Sequence, residues 1–512
     1  MNYFSTRRDQ KPVQASAAIL NGIAPDGGLY VPERIPRLDE AAIGRMRTAD
    51  YPARACEILR LFLDDFSDTE VLDAVRTAYS EERFGEKICP LVQLNRYSER
   101  AYILELWHGP SSAFKDFALQ LLPYLMDGAA SHLNDTRERV ILTATSGDTG
   151  KAALEAFADH AGYRLVVFYP KDGVSEQQER QMLSAGGSNV SVVAVRANFD
   201  EVQSGVKALF ADAELAAHLA ERNQVLSSAN SINWGRLLPQ IVYYWSAYLD
   251  LLNGGHLEVG ETLNFAVPTG NFGDILAAWY AAQMGLPVHK LICASNMNNV
   301  LSDFFRSGVY DIRRDFHRTL SPSMDILISS NLERLLYELS CQNASYVGSR
   351  MEALRSEGVY SVGPEMLNRL QETFVGGYTD DRGCLRTILN VYDDYDHLVD
   401  PHTAVAFNVY ERYAKRAKDE HKVVYISTAS PLKFPETVCQ ALYPRQSGVP
   451  TDLQGRLERL SEESGLAIPE TLNHLTEKAK LHDAVCAPEE MRSMLLQLLD
   501  RDGGGAGTGP EI

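Results

Sequence analysis

A repeated order of strand, glycine-rich turn and helix restricts the fold of this 512-residue chain more than any other feature of its sequence. Each turn follows a short apolar run and precedes a segment with the apolar spacing of a helix. Strands that alternate with helices in this way favour a parallel sheet with helices on both faces. The three predicted strands cover residues 101–107, 139–145 and 263–268.

The turn after the first strand has the sequence HGPSSAF and leads directly to Lys115. A helix is predicted over residues 117–133, with a kink at Pro123, so Lys115 lies near the start of a helix. The helix N-terminus and apolar Phe114 both disfavour a charged amine, which favours Schiff-base chemistry, whereas Asp116 opposes this effect. From this segment alone, an ordinary surface lysine remains the alternative interpretation.

The second turn, SGDTG at residues 146–150, precedes a helix predicted over 151–161. Its backbone N–H groups and hydroxyls favour the binding of an anion at a helix N-terminus. A nucleotide-binding P-loop is excluded, because only two residues separate the glycines and Ala152 follows Lys151 where that motif requires Ser or Thr. A glycine-rich turn without a ligand remains the alternative.

The third turn, TGNFG at residues 269–273, combines two glycines with a following helix and favours close approach of a phosphate to the backbone. Asp274 begins that helix, and its charge would repel a phosphate if the side chain faced it. We therefore expect Asp274 to be the helix N-cap, with its carboxylate turned back onto backbone N–H groups.

These turns and several further segments resemble the signature sequences of the threonine synthase family, which belongs to the fold type II enzymes that use pyridoxal phosphate. The resemblance runs in order from the N-terminus to about residue 440. It implies an α/β fold of the tryptophan synthase beta type, with two open α/β domains, helices on both faces of mostly parallel sheets, and an N-terminal, mostly helical unit. The similar segments include HGPSSAFKDFALQ, TSGDTG, PTGNFGDI, SPSMDI and STASPLKF.

The resemblance also implies a cofactor, pyridoxal 5'-phosphate, and makes Lys115 the catalytic residue that carries it. Thr428 would face the pyridine nitrogen, and a neutral hydroxyl there favours elimination and replacement over transamination. The cofactor phosphate would be held by Gly270, Asn271, Phe272, Gly273 and Asp274. The substrate carboxylate would be held by Ser146, Asp148 and Thr149 with the N–H groups of Gly147 and Gly150.

The activity implied is the conversion of O-phospho-L-homoserine and water into L-threonine and phosphate, with Lys115 transferring the protons. Two other hypotheses remain open: a related phospho-lyase or serine/threonine dehydratase, and a catalytically silent homologue that binds the cofactor. Retention of Lys115 with both anion loops disfavours the silent homologue. Lys171, Arg180 and Arg236 are candidates for the substrate phosphate, each otherwise an ordinary surface or structural charge.

Three positions depart from the family pattern. Ser430 and Leu432 stand where family members usually carry histidine and alanine, which leaves substrate choice open to change. Lys151 replaces a small residue and is expected to be solvated.

Composition narrows the class of protein further. The formal charge of −19 and the pI of about 5.1 disfavour nucleic acids and anionic membranes as partners. The seven cysteines lack a CxxC pair and the twelve histidines lack HExxH spacing, so we expect neither a disulfide framework nor a catalytic metal. The start lacks the apolar core of a signal peptide and the chain has no run of about 18 apolar residues, which predicts a cytoplasmic enzyme. The partner expected from the resemblance is a small-molecule substrate, and the expected assembly is a monomer or homodimer.

Turn signals divide the chain into four predicted regions, with the central boundary at Asn253 and the two glycines after it. Helices are predicted at 57–66, 69–82, 176–185 and 200–221, and the tail at 503–510 is expected to be disordered. The regions are an N-terminal threonine synthase-like domain (1–95), an α/β domain with the cofactor lysine and carboxylate loop (96–255), an α/β domain with the phosphate loop (256–440), and a helical C-terminal segment with a flexible tail (441–512).

Overall fold

The structure, a computed structural model, describes residues 1–7, 11–94, 99–444 and 448–501. The tail predicted at 503–510 lies outside these residues. Across the described ranges, no helix has both the length and the apolar character needed to cross a membrane.

The strands of the described residues are short and mostly buried. They are β1 (Tyr3–Ser5), β2 (Tyr30–Pro32), β3 (Leu91–Gln93), β4 (Ala101–Glu105), β5 (Glu138–Ala144), β6 (Tyr163–Pro170), β7 (Val190–Val195), β8 (Gln224–Ser228), β9 (Leu263–Pro268), β10 (Val288–Ser295), β11 (Val309–Asp311), β12 (Val359–Ser361), β13 (Phe374–Tyr378), β14 (Lys422–Ser427) and β15 (Ala484–Cys486).

Helices connect most of these strands. They are α1 (Ala15–Asn21), α2 (Glu40–Thr48), α3 (Tyr51–Leu59), α4 (Asp68–Ala78), α5 (Glu81–Phe84), α6 (Asp116–Leu119), α7 (Leu122–His132), α8 (Asp148–Phe157), α9 (Glu176–Leu183), α10 (Phe199–Ala211), α11 (Ala213–Glu221), α12 (Trp234–Leu237), α13 (Gln240–Asn253), α14 (Gly273–Gln283), α15 (Val300–Ser307), α16 (Leu332–Leu339), α17 (Ala344–Glu357), α18 (Pro364–Thr373), α19 (Asp381–Tyr395), α20 (Pro401–Ala417), α21 (Pro435–Leu442), α22 (Leu453–Ser464) and α23 (Met491–Arg501).

Two sheets form the framework. The larger has the strand order β13-β10-β9-β14-β4-β3 and is parallel except for β3, which pairs with β4 in the antiparallel sense. The smaller has the order β15-β7-β6-β5-β8 and is parallel throughout. Two antiparallel pairs, β1 with β2 and β11 with β12, complete the pairing of the described strands.

Both faces of the larger sheet are buried, because successive residues of its strands are apolar. In β9, Phe265 and Val267 face one hydrophobic core, and Ala266 between them faces another. Helix α14 contributes Leu276 to the first core, and α20 contributes Phe407 to the second. Strands buried in this way are typical of parallel sheets between two helical layers.

The smaller sheet is also buried on both faces. Val140 and Leu142 of β5 face a core formed with α10, α11 and α23, whereas Ile141 faces the opposite side, toward Leu154 of α8. The prediction of mostly parallel sheets with helices on both faces is therefore confirmed.

Two long predicted helices are each divided in the structure. The segment 117–133 forms α6 and α7, and Pro123 lies in the first turn of α7, where its missing N–H costs no hydrogen bond, rather than kinking one helix. The segment 200–221 forms α10 and α11, because Asp212 ends the first helix and its carboxylate caps the second through Leu215 N–H, 2.9 Å away.

The N-terminal helices also differ from prediction in their bounds. In place of a helix at 57–66, α3 begins at Tyr51 and ends at Leu59, because the Asp50 carboxylate caps it and Pro52 favours its first turn. The single helix predicted at 69–82 corresponds to two helices: α4, which begins one residue earlier and ends at Ala78, and the first half of α5, which begins at Glu81. A capping box between Ser67 and Glu70 fixes the start of α4. The helix predicted at 176–185 matches α9 closely.

The sheets cross the predicted region boundaries. Strand β4, from the region 96–255, pairs with β14 of the region 256–440. Strand β15, from the segment predicted to be helical, pairs with β7. The loop after β4, which carries Lys115, is therefore attached to the same sheet as the glycine-rich loop after β9.

The two-sided burial of the larger sheet predicts the cost of truncating its side chains. We expect Phe265→Ala to lower the free energy of unfolding by about 3–5 kcal/mol, because the fully buried ring also packs edge-on against Tyr244, with 5.0 Å between ring centroids. Phe316→Ala is the matched control, since that ring is 40% exposed, and it should change the urea midpoint little. Equal losses in the two variants would contradict this packing.

Candidate functional site

The site lies at the C-terminal ends of three neighbouring strands, β4, β14 and β9. After β4 and β14 the chains stay paired, with an antiparallel bridge between Ala113 and Ala429. Phe114 N–H donates to the Thr428 carbonyl at 2.8 Å, which places the next residue, Lys115, beside the end of β14. In open α/β sheets, ligands bind at this edge.

A cavity of about 90 Å³ occupies this edge. All but two of the predicted site residues line it, and the two that do not are Gly147 and Gly150. The predicted residues around it are Lys115, Ser146, Asp148, Thr149, Gly270, Asn271, Phe272, Gly273, Asp274 and Thr428.

Lys115 is the N-cap residue of the short helix α6, and 13% of its side chain is exposed. Its Nζ lies 3.3 Å from Asp148 Oδ2 and 4.7 Å from the centroid of the Phe114 ring. Burial lowers the pKa of Lys115; Asp148 opposes this shift, and the nearby ammonium of Lys433 adds to it. The amine is thereby shifted toward the neutral form that reacts with carbonyls.

Asp116 does not oppose this effect in the way the sequence predicts. Its carboxylate turns away and accepts the backbone N–H of Ser111 at 2.8 Å. Burial raises the pKa of Asp116 to about 6. The carboxylate paired with Lys115 is therefore Asp148, which is distant in sequence.

Asp148 is the centre of a buried charge cluster. Its Oδ1 lies 3.0 Å from Lys433 Nζ and accepts Gln178 Nε2 at 2.9 Å, while its Oδ2 accepts Ser323 Oγ at 2.7 Å and faces Lys115. Burial alone would raise the pKa of Asp148, but Lys433 and Lys115 hold it well below its usual range. The carboxylate is therefore ionised, and its four partners leave it no role in holding another anion.

The loop after β5 also differs from its predicted arrangement. The N–H groups of Gly147 and Gly150 both donate to Thr145 Oγ1 at 2.9 Å, so they are engaged within the loop and do not point to an anion. Gly147 has φ of 128°, and a Cβ there would come within 2.4 Å of the Gln178 side chain. This glycine is thus required for the close packing of α9, whereas Ser146 and Thr149 line the cavity.

The loop after β9 presents the N-terminus of α14 to the cavity. The helix begins at Gly273, and the N–H groups of its first turn have no partner within the helix. Phe272 precedes it with φ of 64°, in the left-handed region. A Cβ on Gly270 would lie 3.1 Å from the Ser323 carbonyl oxygen, so this glycine allows the two loops to pack together.

Asp274 is not the helix N-cap, contrary to prediction, because Phe272 occupies that position. Its Oδ1 accepts the hydroxyls of Tyr243 at 2.5 Å and Tyr244 at 2.6 Å, both on α13. Burial raises the pKa of Asp274 to about 6, although the two hydroxyls oppose the shift. Its side chain is therefore turned toward α13, away from the helix N–H groups.

Of the three candidate phosphate ligands, only Arg236 lines the cavity. It is 3% exposed, donates to the Ala229 carbonyl, and burial lowers its pKa to about 10. Arg180 is half-buried and Lys171 is exposed. Lys151, expected to be solvated, is instead buried and paired with Glu155 one helical turn away.

Ser430 and Leu432, which differ from the residues usual in the family, have structural roles. Ser430 is 1% exposed, and its hydroxyl caps the short 3-10 helix Pro431–Lys433 by accepting Leu432 N–H. The Leu432 carbonyl accepts Gln177 Nε2 at 3.0 Å. Ser430 thus shapes the loop after β14, and Leu432 joins that loop to α9.

Sequence reasoning missed several residues of the site. Lys433 is fully buried and donates to the Ser111 carbonyl at 2.7 Å. His402 lines the cavity, where its Nε2 accepts Ser323 N–H at 3.1 Å and its Nδ1 lies 2.7 Å from Asp400 Oδ1. Lys433 lies in the segment STASPLKF and Ser323 in the segment SPSMDI, both of which resemble the family. The sequence pattern did not, however, predict a role for either residue.

Three protein-family models match successive parts of this chain. Residues 2–79 match the family model described as threonine synthase N terminus, and residues 82–429 match that of pyridoxal-phosphate dependent enzymes. Residues 403–480 match the model of the threonine synthase C-terminal region.

Individual relatives agree with these matches. Human threonine synthase-like 1 is 40% identical over 438 residues, 83% of this chain, which spans only 58% of that relative's length. Threonine synthase of Pseudomonas aeruginosa is 38% identical over 92% of this chain and 96% of its own. The crystal structure of pyridoxal-phosphate-bound threonine synthase from Brucella melitensis superposes with a TM-score of 0.84 at 34% identity, covering 98% of this chain and 99% of that one. The chain therefore belongs to the threonine synthase family of pyridoxal-phosphate dependent enzymes.

Proposed function

We propose that this chain is a threonine synthase, which converts O-phospho-L-homoserine and water into L-threonine and phosphate with pyridoxal phosphate as cofactor. The observation that carries the proposal is the position of Lys115. Its amine has a lowered pKa and lies in a cavity that also contains a helix N-terminus and a hydroxyl at the end of β14. These are the groups that a carbonyl cofactor with a phosphate and a ring nitrogen requires.

The residues present fit this cofactor. Lys115 would carry it, the N–H groups from Gly270 to Asp274 would hold its phosphate, and Thr428 would face its ring nitrogen. When bound, the cofactor supplies an electron sink for negative charge at the substrate carbon atoms. The side chain of Asp274, directed toward α13, leaves the helix N–H groups free to meet a phosphate.

Lys115 would transfer the protons of the reaction, because a single amine close to two neighbouring carbons can serve both. Asp148 pairs with that amine and Lys433 pairs with Asp148; burial lowers the pKa of Lys115, Asp148 opposes the shift and Lys433 adds to it. Asp148 thus acts on the lysine, while the substrate carboxylate is assigned to the hydroxyls of Ser146 and Thr149 at the N-terminus of α8. Gly147 and Gly150 shape this loop.

Arg236 is the side chain we assign to the substrate phosphate. It is the only one of the three candidate cations that lines the cavity, and its guanidinium can donate two hydrogen bonds to a phosphate. We further propose that the enzyme is cytoplasmic, which its seven free cysteines support, and that it acts as a monomer or homodimer.

The first test is product analysis with O-phospho-L-homoserine. We expect phosphate and threonine in equal yield, and Lys115→Ala should reduce turnover by at least about 10³-fold, because the proton-transferring amine is lost. Lys415→Ala, at an exposed position on α20, is the matched control and should retain the parent rate. Formation of 2-oxobutyrate, or turnover of serine or threonine instead, would move the activity to the lyase alternative, and unchanged turnover in the Lys115 variant would refute the site.

Lys433 provides a separate test of the charge cluster. Its ammonium lowers the pKa of Lys115, so Lys433→Met should raise that pKa and move the onset of amine reactivity to higher pH. Trinitrobenzenesulfonate labelling of Lys115 in the cofactor-free protein, followed by peptide mass spectrometry against pH, measures this onset. Lys422→Met is the control, since Lys422 pairs with Glu261 at the other end of β14. An onset that does not move, in a variant with native circular dichroism, would exclude this coupling.

The assignment of Arg236 predicts a selective defect. Arg236→Lys keeps the charge but loses the paired donors, so KM for O-phospho-L-homoserine should rise by roughly tenfold or more while kcat changes less. Arg180→Lys, outside the cavity lining, should leave both constants near those of the parent. A fall in kcat at unchanged KM would instead indicate that Arg236 does not bind the ground-state substrate.

A further inference from the structure

His289, Asp419 and His421 form a cluster at the end of the larger sheet opposite the cavity. His289 is the second residue of β10, and His421 immediately precedes β14. These two strands are not neighbours, because β9 lies between them. We propose that the cluster binds one divalent transition-metal ion, with zinc the best match to its ligands.

The two histidines meet across β9 at an irregular stretch of β10. The register of β10 against β9 shifts between Val288 and Leu291, and His289 lies within this irregular stretch. Bulges redirect side chains, and here the His289 ring lies over β9 and stacks on His421. The ring centroids are 3.7 Å apart, with planes inclined by 12°.

The spacing of the ligand atoms suits a single ion. One nitrogen or oxygen atom from each residue lies within 4.8 Å of the others, and His289 Nε2 is 3.8 Å from Asp419 Oδ2. Ligand atoms of a tetrahedral zinc ion lie about 3.3 Å apart, given metal–ligand distances near 2.0–2.1 Å. Because the two imidazole rings are stacked, one or both side chains must rotate before their nitrogens converge on a single ion, and the fourth position is left for water.

The residues behind the ligands hold them in place. Asp419 is only 2% exposed, and Asn264 Nδ2 of β9 donates to its Oδ2 at 3.1 Å. The backbone N–H of His421 donates to Asp419 Oδ1 at 2.8 Å, and the Nδ1 of the same histidine lies 2.9 Å from that oxygen. The contact from Asn264 is of the kind that orients metal ligands in known sites, whereas the contacts between His421 and Asp419 hold two of the ligands together.

The types of ligand atom also favour a transition-metal cation. The lysines adjacent in sequence to the two histidines have other partners: Lys290 Nζ donates to the carbonyls of Gln371 and Glu372, and Lys422 pairs with Glu261. Two imidazoles and one carboxylate match zinc better than magnesium or calcium.

The ion would act on the fold and not on the reaction. Strand β14 has six residues, which corresponds to roughly 20 Å between the cluster and the cavity. A bound ion would link β10 to the segment before β14 across β9 and would stabilise the native state by mass action.

The experiment uses the full chain loaded with pyridoxal phosphate and carrying Cys341→Ser, which removes an exposed thiol that competes for zinc. After chelation and desalting, Zn²⁺ is titrated by calorimetry and the melting temperature is measured with and without it. We expect one ion per chain, a raised melting temperature, and unchanged turnover.

His289→Asn and His421→Asn should each weaken zinc binding by roughly 10- to 100-fold or more. Both side chains are about a third exposed, with 35% and 37% accessible, so the variants should fold. His474→Asn is the control, since this exposed histidine pairs with Glu477 elsewhere. Binding that survives in both variants, or a parent chain whose melting temperature and heat signal do not respond to zinc, would overturn the proposal.

Discussion

The structure of the cavity depends on the ion pairs around Asp148. A buried carboxylate is costly unless it is paired and hydrogen-bonded, and Asp148 meets both conditions through Lys115, Lys433, Gln178 and Ser323. Asp148 begins α8, behind the smaller sheet, whereas both lysines belong to loops of the larger sheet. The same contacts that set the protonation of Lys115 therefore also join the two sheets.

Strand order explains how residues far apart in sequence meet in this cavity. Strands β4, β14 and β9 are neighbours, and each ends at the same edge of the larger sheet. The loops after them carry the lysine, the threonine and the glycine-rich turn. About 160 residues separate the first of these loops from the next along the chain, because strands β5–β8 of the smaller sheet lie between β4 and β9. Strand β14 pairs with both β4 and β9 and so brings the three loops together, and the bridge between Ala113 and Ala429 fixes the first loop to the last.

Local signals in the sequence were sufficient for the strand, turn and helix order, for the parallel sheets and for the position of Lys115. Side-chain partners were not predictable in the same way, because they come from distant elements. Asp274 is a reasonable N-cap when only its neighbours are considered, but Tyr243 and Tyr244 of α13 bind it instead. Lys151 lies on the buried side of α8 and is not solvated. The division between α10 and α11 at Asp212, by contrast, was predictable from the local sequence, because aspartate favours the N-cap position of a helix.

Phe272 connects the glycine-rich turn to the outer edge of the larger sheet. A left-handed backbone is unfavourable by about 1–2 kcal/mol for a residue with a side chain, so surrounding contacts must hold it. Here the ring packs between Phe305 of α15, at 5.8 Å, and Phe374 of the edge strand β13, at 5.6 Å. Neither of those residues lines the cavity. The shape of the glycine-rich turn is thus anchored at the outer edge of the sheet, so a substitution at Phe305 or Phe374 would act on the cavity without lining it.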